Sequence, residues 1–115
     1  MKKIILIIAI IGLTLNLSAQ SQKLKDKTLS NTEYIAKAMD FNDLQKNYLY
    51  KTMLNNSHKG YEMRKGLSKE ERKEVNKELR KELKTSLSIE FSNDEIKQIF
   101  ALLKEKKELD KKQNN

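Results

Sequence analysis

Few side chains in this sequence are suited to covalent or metal chemistry. There is one imidazole, His58, and no cysteine. That excludes a thiolate metal site, a cysteine nucleophile and a disulfide. A single His also gives no imidazole metal cluster, and a Ser-His-Asp triad would consume it. Asn55, Asn56, Ser57 and Lys59 flank His58, so it reads as a solvated turn or helix-surface residue. Of the three glycines, one lies in an apolar N-terminal run, which leaves no phosphate-cradling G-x-G-x-x-G or G-x-x-x-x-G-K-[ST] loop. Glu70, Glu74, Glu78 and Glu82 form a column of carboxylates, but each has basic neighbours, as on a solvated helix face. The expectation is a protein that is not an enzyme and holds no cofactor and no metal.

The remaining chemistry is adhesive. Tyr48, Tyr50, Met53, Tyr61 and Met63 are concentrated between residues 48 and 63. On a helix turning about 100° per residue, the apolar side chains of this segment spread around most of the circumference. Two readings stay open: core, or a protein-binding surface on which adaptable Met and Tyr side chains work beside Arg64, Lys65 and Lys59.

The elements that must position these residues begin with a leader. Met1, Lys2 and Lys3 are followed by the apolar run IILIIAIIGLTLNL and then by Leu17, Ser18 and Ala19. A basic start, a short apolar centre and a small-residue exit make a signal peptide over 1–19, cleaved after Ala19. The run is short of the about 20 residues a membrane span needs. The expected address is the periplasm. Cleavage leaves 96 residues with net charge +6. Export makes nucleic acid a poor partner for that charge; anionic lipid or acidic segments of unfolded proteins suit it better.

The absence of Pro and the scarcity of Gly point to long helices. Residues 20–29 are polar and aperiodic and read as a flexible lead-in. Helix starts are then marked by capping-box spacing at Ser30/Glu33, Asn42/Gln45, Ser68/Glu71 and Ser92/Glu95. Phe41, Leu67 and Phe91 precede the last three, as the first half of a hydrophobic staple. The first helix is expected over about 31–40, with Tyr34, Ile35, Ala38 and Met39 on one face. The second starts at Asn42 and frays to about 65, with a turn at Gly66, Leu67 and Ser68. The third repeats KEER, KEVN, KELR and KELK, and carries Val75, Leu79, Leu83 and Leu87 as an apolar row. The fourth runs from Ser92 to about Lys112, with Ile96, Ile99, Phe100, Leu102 and Leu103 on one wide arc that makes this helix the structural anchor, Phe100 costing most on truncation if it is fully buried. A single helical domain over 30–112 with a disordered tail at 113–115 follows. The predicted class is all-α: an extended hairpin of about four helices, open or dimeric because its apolar content is thin for one compact core.

The FNDLQ at 41–45 and the FSNDE at 91–95 resemble degenerate copies of the L-T-x-x-Q motif, with the LSKEE box at 67–71 and the Leu-row helix between them. With a leader in front, residues 38–108 resemble the small periplasmic LTxxQ-motif proteins of the Spy/CpxP type, and most of all their short Bacteroidetes relatives, some named sensor of ECF-type sigma factor. Phe stands for Leu twice, Asn42 and Ser92 for Thr, and Glu95 for Gln; Gln45 alone keeps the last motif residue. The resemblance implies a thin, curved helical hairpin, often a dimer, whose concave basic and apolar surface holds unfolded clients or a sensor-kinase domain. The expected function is a chaperone-like envelope-stress protein. The alternatives are a regulatory adaptor of an envelope sensor kinase or sigma-factor pathway and an amphipathic protein on a membrane surface.

Overall fold

In a computed structural model, residues 19–113 are described. The leader expected at 1–19 lies outside them except for Ala19, as do the last two residues of the tail. Four helices follow one another: α1 (Ala19–Met39), α2 (Asp43–Met63), α3 (Lys69–Leu87) and α4 (Asn93–Gln113). The protein is an all-helical hairpin bundle with no strand among the described residues.

Three of the four capping boxes form. Asn42 Oδ1 accepts from the Gln45 N–H at 2.8 Å while Gln45 Oε1 accepts from the Asn42 N–H at 3.0 Å. Ser68 and Glu71 exchange the same pair of bonds, as do Ser92 and Glu95. Each box satisfies two backbone donors that a helix start leaves unpaired.

The fourth expectation is overturned. α1 does not start at Ser30 but runs unbroken from Ala19, so residues 20–29 are helix rather than lead-in. Leu24, Thr28, Thr32, Ile35 and Met39 recur at helical spacing. Thr28 and Thr32 are buried where a hydrophobic stripe would carry Leu or Ile. Thr32 Oγ1 donates to the Thr28 carbonyl at 2.7 Å, which satisfies the buried hydroxyl within the helix. Further along the same face it is Ala36 that is buried, and the expected Ala38 is exposed.

α1 ends on Asp40, whose φ of 55° places it in the left-handed region. The Phe41 N–H then bonds back to the Ala36 carbonyl at 2.9 Å, the six-to-one closure of a Schellman turn. Gly66 has φ 71° in the turn between α2 and α3, a conformation glycine adopts without strain. Gly60 lies inside α2 and is buried. A Cβ there would sit 2.9 Å from Leu79 Cδ1, so its absence lets α3 approach.

The packing order is α3, α2, α1, α4: α2 lies against both α1 and α3, and α1 also against α4. Phe41 and Phe91, from the first and last interhelix loops, stack with ring centroids 4.9 Å apart. The stack closes one end of the bundle. The core gathers near it: Ile35, Leu49, Met53, Leu83, Leu87, Phe91, Ile96 and Ile99. Burying each such side chain contributes roughly 1.5–3 kcal/mol. Tyr48 reaches across this core, its O–H donating to the Ser86 carbonyl at 2.6 Å and its ring edge-on to Phe91. Asn56 Nδ2 joins α2 to the Leu79 carbonyl at 2.8 Å, and Tyr34 joins α1 to Glu105 of α4.

Candidate functional site

Away from the Phe stack, the four helices leave a cleft of about 840 Å³. α1 contributes Leu24, Lys27, Thr28 and Asn31, at the i, i+3, i+4, i+7 spacing of one helix face. α2 contributes Met53, Asn56, Ser57, Tyr61 and Arg64. Arg80, Leu83 and Lys84 come from α3, and α4 supplies Ile96, Lys97, Phe100, Ala101, Leu103, Lys104, Lys107 and Asp110. The floor is apolar and continuous with the core through Met53, Leu83 and Ile96.

The rim is cationic. Seven Lys or Arg side chains and one carboxylate line the cleft. That carboxylate, Asp110, is bound by Lys106 at 2.7 Å. Arg80 lies over the Phe100 ring, 4.8 Å from its centroid, and Arg64 Nη1 donates to Asn76 Oδ1 at 2.6 Å. Lys27, Lys84, Lys97, Lys104 and Lys107 enter none of the ion pairs found among the described residues. Like charges held around an apolar floor favour a ligand that brings both apolar groups and negative charge.

The sequence-derived candidates divide. Met53, Tyr61 and Arg64 are brought together in the cleft, since they share one side of α2. Tyr61 also carries Lys65 over its ring, 5.0 Å from the centroid. Met53 is 5% exposed and serves the core and the cleft floor at once. Tyr48 lies outside the cleft: its hydroxyl is tied to α3, and burial pushes its pKa up, with a Thr52 hydrogen bond opposing the shift and Glu90 adding to it. Tyr50 is half-buried and Met63 exposed, and neither lines the cleft. The cap residues Phe41, Asn42, Gln45, Ser68, Glu71, Phe91, Ser92 and Glu95 build helix starts and loops and do not line it.

His58 departs from the reading of a solvated side chain. It is half-buried within α2, and its Nδ1 is enclosed without a hydrogen-bond partner. Sequence reasoning missed Leu24, Lys27, Arg80, Lys84, Lys97, Lys104 and Lys107. On α4 a signal was present: Lys97, Phe100, Lys104 and Lys107 recur at three- and four-residue steps, on one side of the helix. No group of His, Cys, Asp and Glu among the described residues is arranged to hold a metal ion. Compared with family models, characterised proteins and solved structures, the chain gives no match, so its chemistry is read from the cleft itself.

Proposed function

We propose that this chain is an exported, non-enzymatic helical protein that holds partly unfolded or stress-signalling proteins in the cationic cleft. The carrying observation is the pairing of an apolar floor with five lysines free of ion pairs on one open surface. Unfolded segments expose apolar side chains beside carboxylates, and such a surface meets both needs without a fixed sequence. The leader pattern supports an address in the envelope, and the LTxxQ-like boxes fit the same role. No described helix is long and apolar enough to cross a membrane.

The test is aggregation of a reduced acidic client protein, with and without stoichiometric purified chain. The wild type should slow it. Lys104→Glu with Lys107→Glu should leave the melting temperature within a few degrees and abolish most of the protection. A wild type that protects no client defeats the reading. Pull-down from envelope extract separates two forms of it: many weak partners mark a chaperone, one stoichiometric partner an adaptor.

A further inference from the structure

The end of the bundle closed by the Phe41–Phe91 stack has a surface chemistry opposite to that of the cleft. Between residues 38 and 45 and between 85 and 96 the chain carries Asp40, Asp43, Glu90, Asp94 and Glu95 and no Lys or Arg, within a sequence of net charge +8. None of these five carboxylates enters an ion pair among the described residues. The same tip holds the two most exposed large apolar side chains described: Leu44 at 79% and Ile89 at 52%. Leu44 lies three residues after Phe41 and Ile89 two before Phe91, so both flank the same aromatic stack. Exposed aliphatic groups ringed by carboxylates are the complement of an apolar floor ringed by lysines.

We propose that the tip of one copy docks in the cleft of the next, a head-to-flank contact between identical chains. Leu44 and Ile89 enter over Phe100 and Leu24, while Asp43 and Glu90 face Lys104 and Lys107. The tip and the cleft belong to different parts of one bundle, so a copy cannot satisfy itself. Using different patches on the two partners makes the contact heterologous, and it propagates into open chains unless the rotation closes a ring. A tip of two loops and two helix starts is small, so the contact belongs with weak interfaces that bury less than about 1,200 Å². Charge attraction across it falls with salt, because the screening length shrinks to about 3 Å at 1 M. The tip would occupy the cleft proposed above for clients, so self-association and client holding compete. Self-association requires only the two surfaces.

Sedimentation velocity of the purified chain, over a range of protein concentrations at low and high salt, tests it. The expected result is a mean size that grows with concentration past two copies at low salt and returns to one copy at high salt. A tip variant (Asp43→Asn, Leu44→Ser, Glu90→Gln) and a cleft variant (Lys104→Glu, Lys107→Glu) should each sediment as monomers. Mixed in equal amounts they should form a dimer that grows no further, since the intact tip of one meets the intact cleft of the other. Formation of that dimer also establishes that both variants are folded. A wild type that stays monomeric at every concentration overturns the proposal. So does a wild-type assembly that both variants retain, or a mixture that stays monomeric while the wild type associates. Binding of a synthetic acidic amphipathic peptide to a wild type that never self-associates assigns the cleft to a foreign partner instead. Client protection is read on dilute protein, so either result can fail without the other.

Discussion

Ser30 and Ser92 carry the same local signal, a small polar residue three before a Glu, and take opposite places. Ser92 caps α4 through bonds of 2.9 and 3.2 Å with Glu95. Ser30 is exposed in the middle of α1. Ser92→Ala should therefore cost about 0.5–2 kcal/mol. Ser30→Ala should be neutral or stabilise by up to roughly 0.5 kcal/mol, because Ala is the better helix former. Urea melts of the two variants against wild type check the pair; a Ser30→Ala loss equal to that of Ser92→Ala would refute the assignment. Glu71 adds a pH dependence. Its carboxylate accepts from the Ser68 backbone N–H, and with the hydroxyl of Ser68 this holds its pKa below the usual 4.5. A depressed acid contributes stability in full above its unfolded value and loses it as pH falls through the folded one. Wild type should thus melt higher than Glu71→Gln at pH 7, and the gap should close below pH 4.5. A gap that is constant from neutral pH into the acid range would show that the charge plays no part.

At the scale of the element, α4 has two kinds of apolar residue that the sequence places on one arc. Ile96 and Ile99 are 1% and 0% exposed and belong to the core. Phe100 is half-buried, faces the cleft and lies beneath Arg80. The helix anchors the core through Ile96 and Ile99, and the condition of full burial is not met at Phe100. Ile99→Ala should cost about 2–5 kcal/mol, through lost burial and the cavity left behind. Phe100→Ala should cost clearly less. Its ring is already partly wet, and a cation–π contact at such a site is worth about 0.5–1 kcal/mol. Denaturant midpoints of the two variants decide it, and a larger loss at Phe100 would contradict the placement. In α3 the repeated Glu and Lys columns give a nearby pair at Glu74–Lys77, 3.8 Å apart with both side chains about three-quarters exposed. The tighter bridge is between helices, Lys59 of α2 to Glu82 at 2.9 Å.

For the whole molecule, the core lies toward the closed end and the cleft extends away from it. Every residue from the cap Ser68 to Glu74 of α3 is exposed, whereas Leu79, Leu83 and Leu87 are buried further along the same helix. Local opening follows the density of buried contacts. Amide exchange should therefore be fastest in the first two turns of α3 and slowest around Leu83, Leu87, Ile96 and Ile99. Hydrogen-exchange mass spectrometry on overlapping peptides measures the gradient; uniform protection along α3 would mean that the bundle is closed along its whole length.

The all-helical class, the starts of α2, α3 and α4, and the turn at Gly66 are legible in the chain alone. Each depends on bonds within a few residues, and local chemistry suffices to write them. The buried Leu row of α3 is legible too, because a four-residue step turns only about 40° around the helix and keeps successive side chains adjacent. The full length of α1 is not: buried Thr28 and Thr32 break the hydrophobic pattern, and the Thr28 carbonyl that satisfies the Thr32 hydroxyl becomes a partner only once the helix exists. Nor is the cleft. Lys27, Arg80 and Lys104 come from three helices and read singly as solvated charges. Only the packing order, with α3 and α4 as the outer helices of the row, sets them around one apolar floor. The pairing of Phe41 with Phe91, fifty positions apart, arises in the same way, from two loops meeting at one end of the bundle.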